Sequence, residues 1–423
     1  MIKRSVYTVS VQTYVKRLVD RILPELLAGL PAVSLVGARA CGKTTTALRY
    51  ARSLARLNRE DDAALFRADP DAALALMERP TVLDEWQEVP EVLDAVKQHV
   101  DTSAMPGEFI LTGSVSAVTR KMWAGTGRVT PLPMYPLTRR EIDGDDGSEL
   151  FVDKVARGHF DLSMPTPPAT IVDYMSMAAQ GGLPEYVMKP PGRARDAWLR
   201  GYITDLTSRE IASVGGNSDI TKLRAYVSAL AAVSGCVVDD TTLLNSVSID
   251  RRTSSRYEAL LEAVFYSEQI PAWRSNRLAR LAAKPKRFIL DTAVLMAVLR
   301  VDQGTVLLDA QLLGRILETF VAMQLRAELP VSQTQPSLCH LRDHGGRHEV
   351  DFILEYSQGR LVGLEVKASA SPQITDARHL MWLRDNTGDD FVCGIVLHTG
   401  RHSFRLSDRI YALPISAIWA KMV

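Results

Sequence analysis

Residues 32–44 read Ala32-Val33-Ser34-Leu35-Val36-Gly37-Ala38-Arg39-Ala40-Cys41-Gly42-Lys43-Thr44. The last eight fill G-x-x-x-x-G-K-[ST] at every fixed position. An apolar strand, AVSLV, runs into the loop, and a helix-forming stretch, TTALRYARSLAR, runs out of it. That context aims backbone N–H groups at a phosphate at a helix N-terminus. Gly37, Ala38, Arg39, Ala40, Cys41, Gly42, Lys43, Thr44 and Thr45 are therefore expected to cradle a nucleotide, ATP. Lys43 reaches the β- and γ-phosphates, and Thr44 offers its hydroxyl to Mg2+, a hard cation that takes oxygen ligands.

Two further apolar strands belong to the same unit. Thr81-Val82-Leu83-Asp84-Glu85 ends in two acids. Asp84 is placed to hold Mg2+ through water, and Glu85 to polarise the water that attacks the γ-phosphate. Glu108-Phe109-Ile110-Leu111-Thr112-Gly113-Ser114 ends in small polar residues, of which Ser114 is the candidate sensor of the γ-phosphate. Beyond it, Gly125-Thr126-Gly127-Arg128 presents a cation that can reach the phosphates of a neighbouring subunit, with Arg120 competing for that role. Short apolar runs alternating with helical stretches from Tyr14 to about Pro136 predict a parallel sheet with crossover helices.

Working outward, the chain has 423 residues, enough for two or three domains. Hydrophobic residues make up 46% and charged residues 23%, which excludes disordered and fibrous classes. Fifty Lys+Arg against 49 Asp+Glu leave a charge of +1, so a nucleic-acid surface has to come from local patches. Four cysteines, Cys41, Cys236, Cys339 and Cys393, form no CxxC pair, which argues against a disulfide framework and fits a reducing cytoplasm. The start, MIKRSVYTVSVQTYVKR, has no apolar block of signal-peptide type, and no run of about 18 apolar residues suggests a membrane span. Around Asp143 to Pro168, acids, Gly and Pro mix as in a linker or exposed excursion. The expected division is residues 1–142 for the nucleotide-binding core, 143–215 for a linker and lid-like helices, 216–300 for a further helical unit, and 301–423 for a second α/β unit.

In the middle part, LRAYVSALAAV, DDTTLLNSVSI and the stretch opening at Arg251-Arg252-Thr253-Ser254-Ser255-Arg256-Tyr257 read as three successive helices, the order of a winged helix. Arg251, Arg252 and Arg256 stand in the first turns of the third, the end that meets phosphates and base edges in a major groove. Arg274, Arg277, Arg280, Lys284, Lys286 and Arg287 follow within 14 residues, where a wing would lie. Arg274, Arg277 and Lys286 join the candidate DNA contacts. The competing reading is a protein-interaction module with solvated basic faces.

Near the C-terminus, Glu349-Val350-Asp351 is followed after 13 residues by Glu365-Val366-Lys367. Residues two apart on a strand share a face, so a hairpin would gather Glu349, Asp351, Glu365 and Lys367. Asp351 and Glu365 can then offer oxygens to Mg2+, with Lys367 stabilising charge at a phosphodiester. The competing reading is an exposed cross-strand salt bridge. His340, His344 and His348 cluster just upstream without a ligand spacing and receive no role.

The motifs VGARACGKTT, VLDEWQEVP, FILTGS, GTGRV before PLPMYPLTRREI, GGLPEYV, LDTAVLMAVL, GRILETFV and EVDFILEY with GLEVKAS together resemble the prokaryotic P-loop ATPases that join an AAA+ module to a DUF4143 region. The resemblance spans nearly the whole chain and implies an α/β AAA+ core, ATP binding and hydrolysis, and a homo-oligomer, expected to be a hexameric ring. Asp351, Glu365 and Lys367 locally resemble the PD-(D/E)xK nuclease superfamily, which includes Holliday-junction resolvases. Three functions follow as expectations. The first is an ATPase that remodels or translocates duplex or branched DNA, with branch migration as one form of that work. The second is an ATP-gated nuclease using the carboxylate and lysine cluster. The third is a regulatory ATPase acting on a protein partner.

Overall fold

The computed structural model describes residues 14–420 apart from 104, 114–126, 146, 159–168, 211–218, 277–278, 281–282 and 344. In the N-terminal part, β1 (Ala32–Val36) is buried at every position, as expected of a strand flanked on both sides in a parallel sheet. The loop after it leads into a short helix α1 (Lys43–Ala47), then β2 (Ser53–Arg56), β3 (Thr81–Asp84), helix α2 (Glu91–Ser103), β4 (Phe109–Gly113) and β5 (Val129–Pro133). The sheet order is β2-β3-β4-β1-β5, and every pairing is parallel. Alternate side chains feed opposite faces: Val33, Leu35, Val82 and Ile110 enter one core, and Ala32, Leu83, Phe109 and Leu111 the other. The C-terminal ends of β1, β3 and β4 therefore open into one crevice, where ligands bind in open α/β sheets.

The helix expected over TTALRYARSLAR is cut short. It stops at Ala47, and Ser53–Arg56 instead forms an edge strand beside β3, with the Arg52 N–H donating to the Pro80 carbonyl at 2.8 Å. Pairing with a preformed sheet outweighs the modest helix preference of the Ala, Leu and Arg residues.

A capping box opens helix α3 (Arg139–Ile142): Thr138 accepts from the Glu141 N–H, and Glu141 reaches back to the Thr138 N–H. The following segment is not a solvated linker throughout. Leu150, Phe151, Val152 and Val155, on or beside helix α4 (Phe151–Val155), are buried, so the apolar residues of ELFVDKV prevail over the acids and glycines around them. Next come α5 (Ile171–Gln180), α6 (Pro184–Met188) and α7 (Arg193–Asp205), then α8 (Ile220–Ala232), α9 (Asp240–Val247) and α10 (Arg251–Ala263). An antiparallel pair, β6 (Ser267–Ile270) with β7 (Lys286–Ile289), follows, and Cys236 bridges to Arg287.

After α11 (Thr292–Leu299), helix α12 (Ala310–Glu328) runs through the middle of the molecule, with Ile316, Leu317, Phe320, Val321 and Leu325 buried. The chain ends in β8 (Ser337–Arg342), β9 (Glu349–Glu355), β10 (Leu361–Lys367), helix α13 (Arg378–Thr387), β11 (Phe391–His398), β12 (Phe404–Ser407) and β13 (Ile410–Pro414). These form a six-stranded mixed sheet ordered β12-β13-β11-β10-β9-β8. One hydrophobic core runs from Leu18 to Trp419 and takes residues from all three parts, so they pack as one body. Arg140, 1% exposed, ties them further: its guanidinium donates to Asp145 at 2.8 Å, Glu328 at 3.2 Å and the Ile418 carbonyl at 2.7 Å. Among the described residues no helix is long and apolar enough to cross a membrane.

Candidate functional site

The loop after β1 is shaped by two residues in the left-handed region, Ala40 (φ 58°) and Gly42 (φ 102°). A Cβ on Gly37 would lie 2.1 Å from the Met134 carbonyl oxygen, so only glycine lets the loop pass that close to the strand end. Lys43 is 6% exposed and turned back on its own loop, donating to the carbonyls of Gly37 at 2.9 Å and Ala38 at 2.8 Å. Those carbonyls hold the ammonium at the centre of the cradle. Cys41 contributes only backbone, because its side chain is buried with the thiol donating to Met134 O at 3.4 Å. Arg39, Ala40 and Thr45 stand exposed on the loop and first turn.

Across the crevice, Asp84 accepts from the hydroxyl of Thr44 at 2.7 Å and from that of Thr112 at 2.5 Å, both at the same carboxylate oxygen. Thr112 is one residue of the site that the sequence did not single out. Its signal was register: it sits directly opposite Asp84 on the adjacent strand and is 1% exposed. Ser114, chosen instead, lies outside the described residues, as does Arg120. Glu85 follows with left-handed backbone (φ 53°, ψ 46°), which turns the chain sharply after β3, and its carboxylate accepts from the Gln87 amide. The donor set fits Mg-ATP: a hydroxyl and a carboxylate oxygen for a hard cation, a lysine beside them, and a second carboxylate at the edge.

The crevice is a cleft of about 760 Å3 walled by Tyr14, Val15, Gly42, Lys43, Thr44 and Glu85 on one side and by Leu137, Pro184, Glu185, Met188 and Lys189 on the other. GGLPEYV thus contributes part of the site, which sequence reading left without a role. Two contacts explain its glycines. A Cβ on Gly182 would meet Leu137 O at 2.2 Å, and one on Gly181 would meet Asp291 Oδ1 at 2.5 Å. The Gly182 N–H donates to Asp291 at 2.8 Å, while its carbonyl accepts from Leu137 N–H at 2.6 Å. The Tyr202 hydroxyl of α7 also reaches the loop tip, donating to Arg39 O at 3.3 Å.

Arg17, likewise missed, lines the cleft and clamps the loop. It is 6% exposed and donates to Cys41 O at 2.6 Å, Tyr135 O at 2.6 Å and Glu141 at 2.9 Å. Burial opposes its charge, and Glu141 beside it more than restores the guanidinium.

Arg128 lies at the far end of the sheet from the loop. Val129, next to it, is opposite Ala32, the first residue of β1, and Arg128 pairs on the surface with Asp101 at 2.5 Å. The five residues of β1 put roughly 16 Å of strand between it and Gly37, beyond the reach of an arginine side chain.

Arg251, Arg252 and Arg256 are exposed along α10, behind an Asp250 cap whose carboxylate accepts from Thr253 N–H at 2.8 Å. Arg274 is half-buried and Arg277 lies outside the described residues. Lys286 is not a surface residue. It is 1% exposed, its ammonium in contact with Glu318 and 3.1 Å from Asp351. The basic stretch therefore contributes less to any nucleic-acid face than its composition suggests. Arg287 is buried as well, paired with Asp240 at 2.7 Å and with Glu258.

The C-terminal acids do converge. Asp351 accepts from Val366 N–H at 2.9 Å, and Lys367 lies 3.4 Å from Glu365. Burial pushes the Glu365 carboxyl well above the carboxylate range, with neighbouring Asp351 adding to the effect. Asp351 is held below its ordinary value despite burial, because Lys286 sits beside it. Glu349 is half-exposed at the strand end, 3.8 Å from Arg342. Among the described residues no group of three or more His, Cys, Asp or Glu side chains is placed to hold a metal ion.

Three family models match the chain: an AAA domain over residues 30–143, a domain of unknown function (DUF8612) over 171–305, and a domain of unknown function (DUF4143) over 313–418. The chain is also similar to uncharacterized proteins of Mycobacterium bovis and Mycobacterium tuberculosis, 27% identical to each over 394 residues, which cover 92% of this chain and 81% of each relative. The N-terminal match agrees with the parallel sheet. An AAA domain implies nucleotide binding and suggests an ATPase, here joined to a DUF4143 region in one chain.

Proposed function

We propose that this chain is a Mg-dependent ATPase that couples hydrolysis to binding and remodelling, or translocation, of duplex or branched DNA. The observation that carries the first half is the convergence of Thr44 and Thr112 on one oxygen of Asp84, beside Lys43 and Glu85. Thr44 and Asp84 would hold Mg2+, which when bound neutralises charge on the β- and γ-phosphates. Lys43 exchanges its loop carbonyls for phosphate oxygens. Glu85, held by Gln87, takes the proton of the attacking water. The apolar wall of Val15, Leu137, Pro184 and Met188 suits the nucleobase. Arg128, unable to act at home, serves a neighbouring subunit's phosphates, which requires a homo-oligomer; a hexameric ring is the arrangement in keeping with AAA-type ATPases.

Support for DNA comes from α8, α9 and α10 followed by the β6–β7 hairpin, a winged-helix order, with Arg251, Arg252 and Arg256 exposed on the third helix. The succession α12, three antiparallel strands β8–β9–β10, α13 and parallel β11 is the order of the PD-(D/E)xK folds, several of which grip branched DNA. Turnover stimulated by a duplex or four-way junction, lost in Lys43→Ala, is the expected result. Reversing Arg251, Arg252 and Arg256 to Glu should abolish DNA binding and stimulation while leaving basal hydrolysis intact, and binding should fall steeply with salt. Hydrolysis indifferent to every DNA form, with nothing retained at low ionic strength, would refute the coupling.

A further inference from the structure

The C-terminal cluster has the residue types of a divalent-cation site, yet a lysine from a distant strand is built in beside one of its acids. Lys286 arrives from β7, 65 residues before Asp351, and places its ammonium 3.1 Å from Asp351 Oδ1 and against Glu318 of α12. It is 1% exposed on a strand paired with β6, with the Phe352 ring 5.8 Å from its nitrogen, so it has no open path to swing into solvent. A small divalent cation needs several oxygen ligands at about 2.0–2.6 Å and usually keeps water. Here one oxygen of Asp351 accepts from the Lys286 ammonium and the other from Val366 N–H, and the Glu365 carboxyl is hydrogen-bonded to the Asp351 side chain. Lys367 supplies a second fixed cation, 3.4 Å from Glu365. A dication there would be repelled by one buried ammonium, Lys286, and by the partly exposed ammonium of Lys367.

We propose that Lys286 is the resident cation of this cluster, that the native protein binds no divalent metal there, and that the cluster is a clamp between the β6–β7 hairpin and the C-terminal sheet. The neighbouring residue shows the other half of the clamp. Successive side chains on β7 point to opposite faces, and while Lys286 faces Asp351 and Glu318, Arg287 faces Asp240 of α9 and Glu258 of α10. The hairpin is thereby riveted by charge to the α9–α10 pair on one side and to α12 and β9 on the other.

The test is Mn2+ binding to the full-length, nucleotide-free protein, read by electron paramagnetic resonance in four forms: wild type, Asp351→Asn, Lys286→Met, and Lys286→Met with Asp351→Asn. Wild type and Asp351→Asn should bind Mn2+ alike. Lys286→Met should gain a site that the double variant loses. Mn2+ bound by wild type and lost in Asp351→Asn overturns the proposal, and that comparison stands even if the Lys286 variants do not fold. A folded Lys286→Met that gains no site also overturns it, because the lysine would not then be standing where a cation binds.

Discussion

Replacing Arg17 with methionine isolates the guanidinium while keeping most of the stem's volume. Three acceptors lose a donor: Cys41 O, Tyr135 O and Glu141. Glu141 is not left bare, since Leu18 N–H at 2.7 Å, Thr138 N–H at 2.6 Å and the Thr138 hydroxyl at 3.0 Å still reach it. The main cost is two orphaned carbonyls at about 1–3 kcal/mol each. Glu141 keeps these hydrogen bonds but loses its counter-charge in the interior, so the net loss is about 3–5 kcal/mol in unfolding free energy. Cys41 O lies in the phosphate loop itself, so the share of that energy carried by its lost hydrogen bond holds the loop in its binding shape. By that share, about 1–2 kcal/mol, the dissociation constant for an ATP analogue should rise about 5- to 30-fold. Urea unfolding gives the first quantity and calorimetric titration of the folded variant the second. A variant that is destabilised but binds nucleotide as tightly as wild type would refute the view that Arg17 shapes the loop. Unchanged stability would refute the contacts themselves.

Glu85→Gln should bind ATP normally and hydrolyse it about 100- to 10,000-fold more slowly, the loss expected of a missing general base; near-normal turnover in a single-turnover assay would remove Glu85 from that role. Gly182→Ala, whose new methyl would sit 2.2 Å from Leu137 O, should lower unfolding free energy by about 1–3 kcal/mol and weaken nucleotide binding, because the GGLP turn walls the cleft. His340 is 1% exposed, and burial lowers its imidazole to about 4 from 6.5. The unfolded chain therefore binds the proton first on acidification. This contribution is present above pH 6.5 and lost as pH falls towards 4, up to about 3 kcal/mol in all. Urea midpoints at pH 7 and pH 5 should differ accordingly, and His340→Gln should flatten the difference. His398, also fully buried and lowered to about 4, acts in the same direction.

The nucleotide site was largely legible because its grammar is local. A loop between a strand and a helix carries its glycines, lysine and threonine within eight residues, and that local shape turns backbone N–H groups towards a phosphate. The placement of Asp84 and Glu85 was legible for the same reason, Asp84 ending an apolar strand and Glu85 following it. Thr112 was not, since its role depends on β4 lying beside β3, a neighbour relation that composition does not encode. Arg17 and the GGLP turn were hidden for the same cause. Their partners, Glu141 and Asp291, are 124 and 109 residues away.

Lys286 marks the boundary most clearly. From the chain alone, a lysine among five other basic residues within 14 positions reads as surface, because nothing in the string tells whether a charge is solvated or paired. Strand and helix periods, the phosphate loop and the separation into an α/β start, a helical middle and an α/β end were determined by the sequence, since each rests on interactions among near neighbours. Tertiary structure alone decided which charges are buried: it brought Glu318 and Asp351 to Lys286, and so took that lysine off the surface its neighbours in the chain suggest and paired it with an acid 65 residues away.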